Sequence, residues 1–258
     1  MSWKDVDWAR ATEEFKSAEP FNHIVIDNFF EPEIAEQISK EFPGYEGTDV
    51  IKYKNALEDK RTLNQWDKFP PTTYRIFDWL GKDFVSTMRV LTGDEDLSFD
   101  YGLNGGGWHM HGRGGNNNIH LDYNIHPKLS QQRKINIIVY MTEDWKPEWG
   151  GGLQLWSHDA EANKPGKLVK TVDNLFNRAI IFDTTQNSWH GLPNYIECPE
   201  NVVRKSIAGY YVRPAPAETE NRGRALFAPR EDQIGNSEVE ELIRKRANVN
   251  QSSEVYRK

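Results

Sequence analysis

The stretch NIHLDYNIHPKLSQQRKINIIVYM, residues 118–141, contains two candidate β-strands joined by a polar connection. The first candidate, Asn118–Asp122, ends in a His-Leu-Asp triplet, and the second is Lys134–Met141. Alternate side chains of a strand point to opposite faces, and the second strand keeps one face entirely apolar. That face carries Ile135, Ile137, Val139 and Met141. We expect it to pack beneath helices.

Short runs of the same kind continue through the second half of the chain, between clusters of Gly, Asn, Pro and Asp. The further candidate strands are Leu97–Leu103, Leu153–Ser157, Lys167–Val172, Arg178–Phe182 and Val203–Val212. A series of short strands separated by turn residues is typical of a β-sandwich or barrel.

The first 93 residues have a different, mainly helical pattern. Three helices are predicted there, over residues 3–17, 32–42 and 71–92, the last as one apolar stripe. Between them we predict a first strand, His23–Phe29, and a long loop over residues 44–70. The predicted class is therefore α+β, with a mainly β core and N-terminal helices packed on one sheet.

The composition limits the cellular setting and the kinds of partner. The 258 residues carry a net charge of −7 and no apolar run as long as a membrane span. We therefore expect no membrane association and no nucleic acid partner held by phosphate contacts. Cys198 is the single cysteine, which excludes an intrachain disulfide and a zinc–thiolate cluster. We expect a reducing, cytoplasmic location and no secretory signal; the sequence indicates no oligomeric state.

His120, Asp122 and His190 form a candidate metal site. Side chains at positions i and i+2 of a strand share a face, so His120 and Asp122 can converge on one ion. His190, in the segment NSWHG, could supply a third ligand. Two histidines and one carboxylate are the facial triad of non-haem Fe(II) oxygenases. An isolated His-x-Asp triplet, however, more commonly caps a turn, so the surrounding sequence has to decide.

The strand Val203–Val212 supplies part of that context. Arg204, Ser206, Ala208 and Tyr210 alternate onto one of its faces. An arginine fork beside a hydroxyl would suit a carboxylate, such as the far carboxylate of 2-oxoglutarate. Alone, Arg204 could be a solvated charge at a sheet edge, and Tyr140 could be a core aromatic residue. A complete triad nearby disfavours both of these alternatives.

The chain resembles the 2-oxoglutarate/Fe(II)-dependent oxygenases, in their prolyl 4-hydroxylase-like branch. The resemblance lies in six segments that keep the order of the family. They are FNHIVIDNFFEPEIAEQISKEFP (21–43), NIHLDYNIHP (118–127), INIIVYMTEDW (135–145), WGGGLQLW (149–156), NRAIIFDTTQNSWHG (177–191) and RKSIAGYY (204–211).

This resemblance implies a double-stranded β-helix, that is a cupin-like jelly roll, with flanking N-terminal helices. It implies a dioxygenase that uses Fe(II), 2-oxoglutarate and O2 to hydroxylate an unactivated C–H bond. Halogenases of the superfamily resemble this layout but have a small residue in place of the acid, so Asp122 favours hydroxylation. The resemblance also implies roles for six residues, namely iron ligands His120, Asp122 and His190 and 2-oxoglutarate-binding residues Arg204, Ser206 and Tyr140.

We expect residues 1–213 to form a single oxygenase domain. Helical support is expected in residues 1–93 and the jelly-roll core from about 94 to 213. Residues 214–258 are expected to be a peripheral charged extension, with a candidate helix at Ser237–Arg246.

The segment Gly102–Asn118, rich in Gly and Asn, leads directly into the His120 strand. We expect it to be a mobile loop that covers the substrate. Its His109 and His111 are weak candidates for metal ligands because no Glu follows at close spacing. His126 is expected to end a turn. A solvated loop is the favoured interpretation of four other cations, Lys52, Lys54, Lys60 and Arg61, over contact with an anionic substrate.

The favoured function is a 2-oxoglutarate-dependent hydroxylase acting on peptidyl proline or a related substrate. One alternative is a hydroxylase of a free amino acid, a sugar or a small metabolite; another is a metal-binding jelly-roll module without turnover. Nucleic-acid demethylation is disfavoured, because that branch has a second arginine six residues after the first and position 210 is Tyr.

Overall fold

The structure is a computed structural model and describes residues 3–251 and 255. The α-helices within these residues are α1 (Trp8–Ser17), α2 (Pro32–Glu41), α3 (Pro71–Lys82), α4 (Phe84–Thr92) and α5 (Ser237–Ala247). The β-strands are β1 (His23–Ile26), β2 (Ile51–Lys54), β3 (Glu58–Leu63), β4 (Ser98–Phe99), β5 (Gly107–His111), β6 (Asn116–Leu121), β7 (Gln132–Tyr140), β8 (Leu153–Asp159), β9 (Lys164–Val172), β10 (Ala179–Asp183), β11 (Trp189–Leu192), β12 (Arg204–Arg213) and β13 (Leu226–Phe227).

The strands form a double-stranded β-helix, which confirms the predicted jelly roll. Their order is β1-β10-β7-β12-β5-β3-β6-β11-β8-β9. Three short strands pair outside this order: β2 with β3, β4 with β12 and β13 with β6. The paired strands run antiparallel. The sheet curves back on itself, so that β7, β12 and β5 line one wall of a cleft and β6 and β11 line the other.

The N-terminal helices cover the outer face of β7, as its apolar pattern predicts. Ile135, Ile137 and Val139 are buried in one core with Phe15 of α1 and Leu80 of α3. Local sequence fixes where the helices begin: the Asp7 side chain accepts hydrogen bonds from two backbone N–H groups of α1, and prolines occupy the first position of α2 and α3. No helix in the described part of the chain has the length and apolarity needed to span a membrane.

The apolar stripe over residues 71–92 forms two helices, not the single helix predicted. Asp83 lies between them, and its N–H bonds to the Trp79 carbonyl at the end of α3. The break lets the Phe84 ring enter an aromatic cluster, where it contacts Trp79 at 4.8 Å between ring centroids and Phe29 at 5.4 Å. Packing of this ring therefore overrides the helical periodicity.

Two segments expected to be loops are strands of the sheet. Residues 44–70 contain the hairpin β2–β3, and Gly102–Asn118 contains β5, which pairs with both β3 and β12. The mobile-loop prediction for Gly102–Asn118 is therefore wrong. Gly107 shows why this segment is rich in glycine: its φ is +92°, and a Cβ there would lie 2.2 Å from the Leu63 carbonyl oxygen. Glycine allows β5 to approach β3.

The C-terminal extension packs against the jelly roll. β13 pairs with β6 through Phe227 opposite His120, and the helix predicted near Ser237–Arg246 is confirmed as α5. The extension thus reaches the strand that carries the His-x-Asp triplet, which differs from the peripheral position expected. The domain boundary at residue 213 stays a prediction.

Candidate metal centre

The structure brings His120, Asp122 and His190 together at one end of the cleft. His120 in β6 lies directly opposite His190 in β11, and Asp122 follows β6 immediately. Each of the three offers a ligand atom, and these atoms lie within 4.8 Å of one another. All three side chains are buried. This is a spacing that one metal ion can bridge.

Backbone carbonyls set the orientation of both imidazole rings. The Nδ1 atom of His120 lies 2.9 Å from the Asn118 carbonyl oxygen, and Nδ1 of His190 lies 2.7 Å from that of Ser188. A carbonyl accepts the Nδ1–H, which leaves the Nε2 lone pair for a metal. Burial, with a smaller effect of His190, lowers the pKa of His120 to about 3, so this ring is neutral. Phe227 stacks on the His120 ring at 5.0 Å.

Asp122 is held as a carboxylate by a buried arginine that sequence reasoning did not identify. Burial alone would raise the pKa of Asp122, but Arg133 and the two histidines hold it below its ordinary value. The Arg133 Nη1 lies 3.7 Å from Asp122 Oδ1. Its guanidinium lies between the Tyr123 and Tyr210 rings, 3.5 and 3.4 Å from their centroids. No local motif marks Arg133, because its neighbours come from three separate segments.

The donor set fits the Fe(II) that the oxygenase fold implies. Two imidazoles and one carboxylate supply the facial triad, and Asp122 Oδ2 is buried without a hydrogen-bond partner among the described residues. A buried carboxylate oxygen without a partner is costly, and a cation would satisfy it.

Arg204 and Ser206 line the same cleft from β12, whereas Tyr140 does not belong to its lining. Ser206 lies opposite Tyr140 in the sheet, and the Arg204 guanidinium carbon lies 5.0 Å from the centre of the Tyr140 ring. Arg204 Nε donates to the Gly151 carbonyl at 2.8 Å. The Tyr140 hydroxyl is buried without a hydrogen-bond partner in the described part of the chain. A carboxylate next to Arg204 would suit these donors.

His109 and His111 of β5 line the cleft between the 2-oxoglutarate-binding candidates and β3. Burial, followed by the charge of Lys60, lowers the pKa of His109 to about 3. Neither histidine belongs to the group of possible metal ligands found in residues 3–251 and 255. His126 precedes the turn over residues 127–129, whereas it was expected to end one: its Nδ1 accepts from the backbone N–H groups of Lys128 and Leu129.

Comparisons with known proteins identify a similar family and a similar fold. Residues 106–212 match the model of the 2OG-Fe(II) oxygenase superfamily. Prolyl 3-hydroxylase OGFOD1 of Mus musculus is 28% identical over 90 residues, which cover 35% of this chain and 16% of that protein. The chain thus spans about a sixth of the length of this curated relative.

Two solved prolyl hydroxylases have a similar fold. A prolyl-4-hydroxylase of Pseudomonas putida superposes with a TM-score of 0.56 and 14% identity, over 81% of this chain and 100% of that one. The second is a prolyl hydroxylase of Trichoplax adhaerens, solved with a peptide fragment of the hypoxia inducible factor oxygen degradation domain. It superposes with a TM-score of 0.55 and 13% identity, over 82% of this chain and 93% of that one. Residues 106–212 therefore match the 2OG-Fe(II) oxygenase superfamily, and the fold is similar to that of solved prolyl hydroxylases.

Proposed function

We propose that the protein is an Fe(II)- and 2-oxoglutarate-dependent dioxygenase that hydroxylates an unactivated C–H bond, with a proline ring or a related group as substrate. The observation that carries this proposal is the arrangement of the cleft. Three possible ligands of one ion meet at a single point, and a buried arginine and serine line the same cavity of about 250 Å³. The small size of the cleft suits a compact reactive group.

In this proposal, His120, Asp122 and His190 would hold the iron next to the sites of 2-oxoglutarate and O2. When bound, the iron and its co-substrates supply the oxidising chemistry: 2-oxoglutarate becomes succinate and CO2, and one oxygen atom of O2 enters the substrate C–H bond. Arg204 and Ser206 bind the distal carboxylate of 2-oxoglutarate, and Tyr140 supports Arg204. The buried walls exclude bulk water from the reacting atoms.

The mouse relative and the two solved prolyl hydroxylases support the prolyl assignment by their names. The residues of the cleft wall support the oxygenase chemistry more directly than they support a pyrrolidine ring. Cys198 is a free and buried thiol, in keeping with the proposed location in a reducing cytoplasm.

A turnover assay tests the proposal. The protein is loaded with Fe(II) under exclusion of air, given 2-oxoglutarate, and exposed to O2 with proline-containing peptides and with free amino acids. We expect succinate from the unsubstituted protein and hydroxyproline above the uncoupled background. His190→Ala should lose succinate formation, whereas His158→Ala, outside the triad, should keep it. Absence of 2-oxoglutarate consumption by metal-loaded protein would favour a binding module instead.

A further inference from the structure

The cleft carries more positive charge than the proposed iron and 2-oxoglutarate require. Among the described residues that line it, Asp122 is the only acid, whereas five residues are cationic. Arg133 pairs with Asp122, and Arg204 faces the proposed 2-oxoglutarate position. The other cations that line the cleft are Lys60, Arg224 and Arg246. The whole chain has a net charge of −7, so this concentration of cations does not follow from composition.

These three cations come from separate parts of the chain and converge beside the metal centre. Lys60 belongs to β3, Arg224 precedes β13 and Arg246 belongs to α5. The Arg246 guanidinium carbon lies 5.6 Å from the centre of the Phe227 ring, which itself stacks on His120. The C-terminal extension thus supplies two of the three cations of this wall.

The pairing of these side chains leaves room for an anion. Glu58 is fully buried, and its carboxylate lies between Lys60 (Nζ to Oε2, 2.8 Å) and Arg246 (Nε to Oε1, 3.4 Å). Glu58 therefore fixes two cations at the wall of the cleft. Arg224 has a different position: its Nε is buried without a hydrogen-bond partner among the described residues. A buried guanidinium donor without an acceptor costs free energy that a bound anion would recover.

On the basis of the proposed function, we propose that the substrate is a small acid. Its carboxylate or phosphate group binds Lys60, Arg224 and Arg246, while the C–H bond to be hydroxylated faces the triad. The planar forks of two arginines match the oxygens of either acid group. A cavity of about 250 Å³ that also takes 2-oxoglutarate admits a small substrate.

Matched compounds test the charge requirement. Each carboxylic acid or phosphomonoester is compared with its own amide or alcohol, including N-acetylproline against N-acetylprolinamide. The measurement is succinate formed above the level without substrate, with Fe(II), 2-oxoglutarate and O2 constant. We expect stimulation by acids and little by their neutral partners. The half-saturating concentration of an acid should rise with ionic strength, because salt screens the attraction.

Variants of the wall test the residues. Arg224→Gln should raise the half-saturating concentration of the acid at least about tenfold, the effect of losing one charge-assisted hydrogen bond. Arg246→Lys keeps the charge beside Glu58, so it should raise the half-saturating concentration of the acid less than Arg246→Gln does. Arg244→Gln removes a cation from the exposed side of the same helix and serves as the matched control, with turnover unchanged. Equal stimulation by neutral partners, or no effect of Arg224→Gln, would overturn the proposal.

A binding measurement separates this inference from the proposed function. Protein loaded with Mn(II) and saturated with 2-oxoglutarate is titrated calorimetrically with sulfate as a probe anion. We expect saturable binding that Arg224→Gln weakens and Arg244→Gln does not. If the unsubstituted protein does not turn over 2-oxoglutarate, the proposed dioxygenase function is refuted. The sulfate titration would still show whether the anion site exists. No sulfate binding, or binding unaffected by Arg224→Gln, would contradict it.

Discussion

Two buried arginines of the cleft differ in what they contact. Arg133 is enclosed by two tyrosine rings and faces Asp122, whereas Arg204 donates from Nε to the Gly151 carbonyl and lies against the Tyr140 ring. Alternation with Ser206 along one strand made Arg204 recognisable from the sequence. Arg133 was not recognisable, because the rings that enclose it and the carboxylate it faces come from other segments of the chain. Sequence periodicity identifies residues that share an element, not those that meet across elements.

Replacement of Arg204 by lysine tests whether the guanidinium fork matters. Lysine keeps the charge but cannot form two parallel hydrogen bonds to one carboxylate. We expect Arg204→Lys to raise the half-saturating concentration of 2-oxoglutarate by about tenfold or more, the effect of losing a charge-assisted hydrogen bond, with metal affinity retained. Arg213→Lys, at the far end of the same strand, is the control because Arg213 pairs with Asp94. An unchanged 2-oxoglutarate requirement would remove Arg204 from the binding site.

Replacement of Asp122 by glycine tests the choice between hydroxylation and halogenation. The change removes the only carboxylate of the triad and leaves Arg133 without its acidic partner. We expect loss of hydroxylated product and a lower metal affinity, because the remaining ligands are neutral imidazoles. Chlorinated product in the presence of chloride is not required, since the substrate must also be positioned for it. Hydroxylation at the unsubstituted rate would show that Asp122 does not bind the metal.

At the scale of elements, β7, which has one apolar face, was predictable, whereas the mostly charged β3 was not. β7 was found because Ile135, Ile137 and Val139 alternate toward the helices. β3 was missed because its residues are mostly charged: Lys60 lines the cleft, and Glu58 lies behind it. β3 is held in place mainly by backbone pairing with β2, β5 and β6. A strand in which most residues are charged therefore lacks the hydrophobic signal that identifies strands in sequences.

Pairing of β11 with β6 is expected to depend on Gly191. A Cβ there would lie 2.7 Å from the carbonyl oxygens of both Asn117 and Asn118, which are backbone atoms that cannot turn away. We expect Gly191→Ala to separate the two strands, to lower unfolding stability by about 1–3 kcal/mol and to weaken metal binding, because His120 and His190 lie opposite each other here. Calorimetric Mn(II) titration and thermal unfolding measure both effects.

Gly44→Ala is the matched control for that substitution, since no atom lies within 4 Å of the Cβ it would introduce. Equal metal affinity in Gly191→Ala and Gly44→Ala would show that the close contact between strands does not set the spacing of the two histidines.

At the scale of the whole molecule, the site is assembled from the jelly roll and the C-terminal extension together. Phe227 covers the His120 ring, and Gln233 accepts a hydrogen bond from Asn118 at 2.7 Å on the strand that carries His120. The sequence indicated a helix in the extension but not where it would dock. Docking depends on the pairing of β13 with β6. Because β13 has only two residues, it is too short to leave a periodic signal in the sequence.

Burial of several histidines in one cleft makes the stability of the whole fold depend on pH. Burial lowers the pKa of His109 and of His120 to about 3, and it lowers the pKa of His111 well below the ordinary value. In the unfolded chain these groups take up protons near pH 6.5. Below that pH the unfolded state therefore binds more protons than the native state, so the free energy of unfolding must fall as the pH falls.

We therefore expect metal-free protein to keep its full stability above about pH 6.5 and to lose it progressively toward pH 3, by about 2 kcal/mol for each such histidine at pH 5. Urea unfolding between pH 7.5 and 4.5 measures this dependence. His109→Gln should reduce the slope of the unfolding free energy against pH by the equivalent of one proton, because glutamine does not titrate. Added Mn(II) should steepen the dependence, since His120 must be neutral to bind metal and the unfolded chain lacks the assembled site. A stability that is constant from pH 7 to pH 5 would mean that water reaches these histidines in the folded protein, and the cleft could not then shield its reacting atoms as the proposed oxygenase requires.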